Sequence, residues 1–94
     1  MTQYAFRLYV QGQTVRARAA VEQLEALCRA CCGEAWEVEV VDVERQPDLA
    51  DQARIVATPT LDRLAPEPRT RVIGDLSSQE RLAAALGLSP LPGS

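Results

Sequence analysis

Three cysteines, Cys28, Cys31 and Cys32, stand close together and are the side chains with the clearest chemical potential in the chain. Cys28 and Cys31 form a CxxC pattern, which is reactive when it opens a helix, because the exposed amides and the helix dipole there lower the thiol pKa. Here the helical pattern precedes the pair, so both thiols are expected near the negative end of the helix, on its apolar stripe. We therefore predict buried or half-buried core thiols. A thiol oxidoreductase using Cys28 and Cys31 is the alternative.

The remaining residue types do not form a recognisable catalytic set. The chain has no histidine, which excludes Ser-His-Asp triads and Cys-His dyads. Three crowded cysteines do not supply the four ligands of a closed zinc site. The acidic residues are scattered, and the isolated Gly12 and Gly74 do not make a phosphate-binding loop. The sequence therefore predicts no catalysis, no metal and no cofactor.

Length and charge restrict the class of protein further. The 94 residues are enough for one small domain, predicted over 1–88 with a loose tail at 89–94. The 10 basic residues, all arginine, against 13 acidic ones give a net charge of -3, the opposite sign from a typical nucleic-acid binder. No apolar run approaches the roughly 20 residues that span a bilayer, and the N-terminus lacks a signal peptide pattern. We expect a cytoplasmic protein with no membrane and no nucleic-acid partner.

Hydrophobic periodicity places seven elements. It predicts strands at 4–10, 36–43, 60–64 and 70–73, and helices at 15–32, 47–54 and 78–86. Thr14 is the predicted N-cap of the first helix and Gly33 its stop. Ser77 and Glu80 fit a capping box at the start of the last helix, and Gly87 suits its left-handed end.

The order β-α-β-α-β-β-α predicts an α/β fold of the thioredoxin-like kind. The first β-α-β unit is expected to be parallel and the third and fourth strands antiparallel, giving a central mixed four-stranded sheet with helices on both faces. In that fold a Thr-Pro step enters the third strand through a cis peptide bond. Thr58 and Pro59 stand at that place, so Pro59 is the expected cis-proline.

Five segments resemble the KaiB family of circadian clock proteins. Residues 8–14, 40–43 and 46–50 are similar to its LYVAGNT, VIDV and NPQLA segments. Residues 55–61 and 72–77 are nearly its ILATPTL and IIGDLS segments. The resemblance is collinear from about Tyr4 to Leu86, and the chain is identified as a member of this family.

The resemblance implies a protein-binding function rather than catalysis. Family members bind the ATPase ring of KaiC, help to sequester KaiA, and displace a sensor histidine kinase, so KaiC or a KaiC-like ATPase is the implied partner. Arg54, Arg63 and Arg71 match basic positions of the family and are the implied partner-binding residues. A SasA-like sensory domain, which has a related thioredoxin-like fold, is a further alternative.

The resemblance also implies a choice between two folds. The resting form of the clock family is a tetramer with a differently wired C-terminal half, and its binding form is a thioredoxin-like monomer. Asp75, Ala85 and Gly87 are the implied fold-selecting positions, with Ala85 and Gly87 standing where the clock family has Gly and Asp. We expect the thioredoxin-like monomer as the ground state; the resting tetrameric fold is the alternative.

Overall fold

The structure, a computed structural model, describes residues 3–89. Four strands and three helices follow one another along the chain in the predicted order, β-α-β-α-β-β-α. They are β1 (Tyr4–Val10), α1 (Val15–Cys32), β2 (Trp36–Asp42), α2 (Pro47–Gln52), β3 (Thr60–Ala65), β4 (Thr70–Ile73) and α3 (Gln79–Leu86). Apart from Ser89, the predicted tail at 89–94 lies outside the described residues.

The four strands form one mixed sheet with the order β2-β1-β3-β4. β1 pairs with β2 in parallel and with β3 antiparallel, and β3 pairs antiparallel with β4. The predicted thioredoxin-like arrangement of the sheet is therefore confirmed. β2 and β4 are its edges.

The main core lies between one face of the sheet and the helices α1 and α3. Phe6 and Leu8 of β1 pack there with Leu24 and Cys28 of α1 and with Leu86 of α3, and all five are at most 1% exposed. Tyr9 and Val41 are also buried but point to the opposite face, because side chains alternate along a strand. The short α2, whose Leu49 is half-buried, follows β2 in the chain.

Local signals fix the ends of α1 where the sequence placed them. The Thr14 side chain accepts a hydrogen bond from the Ala17 amide at 3.1 Å, which satisfies one of the free amides of the first turn. Gly33 follows Cys32 with φ 61°, a conformation that favours glycine.

α3 begins one residue later than the capping box predicted. Ser78, not Ser77, is its N-cap, and the Ser78 hydroxyl accepts a hydrogen bond from the Arg81 amide at 3.3 Å. The Ser77 amide and hydroxyl instead donate to the two carboxylate oxygens of Asp75, each at 2.8 Å. The prediction that Ser77 is the N-cap was wrong: Ser77 belongs to the turn that Asp75 closes, and the helix starts after Ser78. None of the helices described is long and apolar enough to cross a membrane.

Candidate protein-binding surface

Four connections meet at one end of the sheet, and we call this surface the loop end: residues 11–14, 43–46, 53–59 and 74–78. The parallel strands β1 and β2 both finish there. β3 starts and β4 finishes there because each pairs antiparallel with its neighbour. The Gly74 amide donates to the Pro59 carbonyl at 2.9 Å and joins two of the connections. The sequence thus gathers its most irregular segments on one side of the molecule.

Asp42 braces the loop end from the last position of β2. Its Oδ1 accepts hydrogen bonds from the Gly12 amide at 2.9 Å and the Glu44 amide at 3.0 Å. These two bonds hold the pKa of the Asp42 carboxyl below its ordinary value, since they stabilise the charged form. Gly12 has φ 68°, where side chains are rarely accommodated, so the turn after β1 depends on this glycine. The carboxylate therefore fixes the connections after β1 and β2 relative to each other.

Arg54 is the predicted partner-binding residue that the structure places at the loop end. It is exposed, and within residues 3–89 no ion pair or side-chain hydrogen bond engages its guanidinium. Its φ is 57°, the single positive value outside glycine in the described part of the chain. A non-glycine residue there costs roughly 1–3 kcal/mol, and such strain concentrates at functional positions. The strained backbone presents an unpaired cation to solvent.

Two large apolar side chains also stand exposed at this surface. Val56 is 88% exposed in the connection that leads to Pro59, and Val15 is 85% exposed at the first position of α1. A shallow cavity of about 330 Å³ lies at the same end of the sheet, with Thr14, Arg16 and Pro59 in its wall. The sequence analysis did not single out Val15 and Val56. An apolar residue in a connection, outside any periodic pattern, is the signal that could have found Val56.

Arg63 does not lie on a surface that a partner can reach. It is 9% exposed and lies on the sheet face covered by α1 and α3, where its register partner on β1 is Phe6. Its Nη1 donates to the Leu86 carbonyl, and its Nη2 donates to the Pro68 carbonyl at 2.7 Å. Alternation along β3 turns the Arg63 side chain inward in this conformation, and its role in partner binding stays a prediction.

Arg71 lies on the opposite face of the sheet from Arg63. Its Nε and Nη2 donate to the two oxygens of Asp62 at 2.6 and 2.9 Å, a bidentate pair between β4 and β3. This pair raises the pKa of the Arg71 guanidinium. The structure therefore does not gather Arg54, Arg63 and Arg71 into one patch.

Of the other singled-out residues, Pro59 and Asp75 belong to the loop end, and Ala85 and Gly87 lie at the C-terminal end of α3. Pro59 is buried, and the peptide bond that precedes it is cis. Asp75 is exposed, and its hydrogen bonds with the Ser77 hydroxyl and amide lower the pKa of its carboxyl. Ala85 is exposed on α3, and Gly87 ends that helix in the left-handed conformation with φ 70°.

The cysteines lie far from the loop end. All three, Cys28, Cys31 and Cys32, are buried, and they form no disulfide bond with one another. Cys28 stands thirteen positions after Val15 in α1, about 20 Å along the helix axis. Burial, reinforced by the neighbouring cysteines, raises the pKa of the Cys28 thiol to about 12. All three thiols are buried as core residues are, and the raised pKa of Cys28 is the opposite of the lowered pKa that a redox nucleophile needs. Among residues 3–89, no cluster of side chains is arranged to hold a metal ion.

Comparison with solved structures agrees with the thioredoxin-like arrangement. The N-terminal domain of Synechococcus elongatus SasA superposes with a TM-score of 0.74 at 22% identity, covering 92% of this chain and 81% of that one. Mitochondrial thioredoxin 3 from Saccharomyces cerevisiae superposes with a TM-score of 0.69 at 15% identity, covering 93% and 79%. At these identities the likeness concerns the fold.

Comparison of sequences identifies the family. The chain is 36% identical over 90 residues to the circadian clock protein KaiB3 of a Synechocystis species, covering 96% of this chain and 88% of the relative. It is 39% identical over 85 residues to a Synechococcus circadian clock oscillator protein KaiB, covering 90% and 77%. A family model described as the KaiB domain matches residues 7–88. The chain, with its thioredoxin-like sheet and its arginine-bearing loop end, belongs to the KaiB family.

Proposed function

We propose that this protein is a non-catalytic, monomeric binding module whose loop end docks on an acidic surface of a KaiC-type ATPase ring. The relatives are named as clock proteins, and family membership makes a ring ATPase of this type the partner to test first. Through that ring the module would act indirectly on a KaiA-type protein or a sensor histidine kinase.

The observation that carries the proposal is the state of Arg54. A strained, exposed and unpaired arginine stands two residues from an exposed valine, on a surface braced by Asp42. Arginine is one of the residue types enriched in binding hot spots, and the exposed valine near it adds apolar surface that docking can bury. Arg71 is expected to contribute less, because Asp62 already occupies its guanidinium.

Arg54→Asn tests the proposal, since asparagine tolerates the left-handed backbone while the guanidinium and its charge are removed. The labelled protein is titrated with the KaiC-type ATPase of the same organism, and binding is followed by fluorescence anisotropy. The variant is expected to bind at least about tenfold more weakly if the charge is desolvated on docking. Arg29→Asn is the matched control, because Arg29 is an exposed arginine near the opposite end of α1. Equal loss in both variants, or none in Arg54→Asn, contradicts the proposal.

Two other functions remain to be separated from this one. A thiol oxidoreductase would reduce insulin in the presence of dithiothreitol, and a variant with both Cys28→Ala and Cys31→Ala would not; we expect no difference between the two proteins. A SasA-like sensory role is favoured by the fold likeness to that domain. It requires a kinase region in the same native polypeptide, which the mass of the protein in its host would reveal.

A further inference from the structure

Arg63 is a buried cation with an unusual set of partners. Its two terminal nitrogens reach two main-chain carbonyls from different parts of the chain, one in the connection between β3 and β4 and one in the last turn of α3. Its Nε is buried with no hydrogen-bond partner among the described residues. Within residues 3–89, no carboxylate forms an ion pair with it.

The position of the guanidinium explains why it tolerates burial without a carboxylate. The last carbonyls of a helix have no intrahelical partner and carry the negative end of its dipole. Leu86 is the last residue of α3, and its carbonyl accepts from Nη1. The planar guanidinium, with donors at fixed angles, can hold this carbonyl and that of Pro68 at the same time, which a lysine ammonium does less well.

Few other contacts secure α3. The helix has eight residues, and Leu82 and Leu86 are its two buried side chains. An isolated helix of this length is not stable in water, so its structure depends on docking. The next buried residue, Leu88, follows directly after Gly87. Besides these leucines, Arg63 on β3 supplies a polar contact that holds the end of α3 where the helix leads into the C-terminal residues.

We propose that Arg63 is an internal latch that keeps α3 docked and ties its position to the connection between β3 and β4. When the latch is lost, α3 undocks locally while β1, α1 and β2 remain folded, because none of these three elements accepts a hydrogen bond from the Arg63 guanidinium. The inference concerns the motion of this chain and stands independently of the proposed function.

Arg63→Met tests the latch, since methionine retains an apolar stem and removes the donors. Amide hydrogen exchange in the full chain is compared for Leu82–Leu86 of α3 and for Phe6–Tyr9 of β1, which report local and global opening respectively. We expect exchange in α3 to be about ten- to a hundredfold faster, the range for lost hydrogen bonds to a charged group. Exchange in β1 is expected to be unchanged or slower, because an apolar residue replaces a buried charge that has no carboxylate partner.

Two further variants complete the experiment. Arg63→Lys retains the charge but lacks the planar guanidinium that can reach both carbonyls. Its amide exchange rate in α3 is expected to lie between the rates of the wild type and of Arg63→Met. Arg71→Met removes an arginine from the opposite face of the neighbouring strand and is expected to leave α3 unchanged. If Arg63→Met accelerates α3 and β1 by the same factor, Arg63 contributes only to overall stability. That result, or unchanged exchange in α3, overturns the latch.

Discussion

At the scale of single residues, the burial of Cys28 governs both its stability contribution and its ionisation. The side chain is 0% exposed, and its pKa is raised to about 12. Cys28→Ala is expected to lower the free energy of unfolding by roughly 1–2 kcal/mol at neutral pH, since the smaller side chain leaves unfilled space in the core. Binding to the partner should persist, because the site lies far from the loop end.

The same thiol makes the stability depend on alkaline pH. Its pKa is higher in the folded chain than in the unfolded chain, where it is about 8.5. Above that value the unfolded state loses the proton while the folded state keeps it, so the free energy of unfolding falls as the pH rises toward 12. Urea unfolding at about pH 8 and about pH 10 should show a larger decrease for the wild type than for Cys28→Ala. Equal decreases would show that Cys28 ionises normally in the folded chain.

Single residues also mark where sequence reasoning succeeds and fails. The cysteines were placed in the core because they share the apolar stripe of α1, which is a property of the helix alone. Arg63 was assigned to a partner-binding surface because it matches a basic position of the KaiB family. Its burial depends on the side of the sheet that β3 presents to α3 and on the carbonyls that α3 brings to it. Neither can be read from the residues around Arg63.

At the scale of elements, two adjacent serines before α3 have different roles: Ser78 caps the helix, and Ser77 belongs to the turn before it. The Ser78 hydroxyl accepts from the Arg81 amide, whereas that of Ser77 donates to Asp75. Ser78→Ala is expected to lower the free energy of unfolding by about 1 kcal/mol, the usual cost of a lost N-cap. Ser77→Ala is expected to stay within about 0.5 kcal/mol, as for most exposed positions. Urea titration of both variants decides the assignment, and the reverse order of effects would restore Ser77 as the cap.

The strands show the same division between local and long-range information. The bounds of β1, Tyr4–Val10, agree with the prediction because alternation is a property of the strand itself. On β2 the alternation placed Trp36, Val38 and Val40 on one face, yet Val40 is 44% exposed and Val41, on the other face, is fully buried. β2 is an edge strand, so the burial of Val40 depends on its distance from α1 and α3, whereas Val41 lies on the opposite face of the sheet. That distance follows from the strand order, which the sequence pattern does not contain.

At the scale of the whole molecule, the thioredoxin-like arrangement depends on how firmly the C-terminal third is held. Four buried leucines, Leu76, Leu82, Leu86 and Leu88, attach it to the core. Ala85 and Gly87 add local preference: alanine favours a helix over glycine by roughly 0.5–1 kcal/mol, and glycine adopts a left-handed helix end at low cost. These preferences support the thioredoxin-like monomer as the ground state. We expect light scattering to give the monomer mass and chemical shifts to show helix across Gln79–Leu86.

The variant that combines Ala85→Gly with Gly87→Asp should weaken this ground state selectively. Ala85 is exposed, so its replacement removes helix preference without opening the core. At position 87, aspartate would have to adopt a backbone φ of 70°, which strains a residue that carries a side chain. Its Cβ would lie 3.5 Å from Nη1 of Arg63, an ordinary van der Waals contact with the donor to the end of α3. Together the changes shift the balance by about 1–2 kcal/mol, or roughly 5–30-fold in population, which is sufficient when two folds of one chain differ by a few kcal/mol.

Ala26→Gly is the matched control for that variant, because Ala26 is exposed within α1. It carries a similar loss of helix preference but lies in the half of the chain that the alternative fold is expected to keep. Relaxation-dispersion or saturation-transfer measurements should detect a larger minor state across Gln79–Leu86 in the double variant and not in Ala26→Gly. A wild-type tetramer, or strand-like chemical shifts across α3, would show that the resting fold is already the ground state. The same minor population in both variants would show that it is general unfolding and not a second arrangement of the C-terminal half.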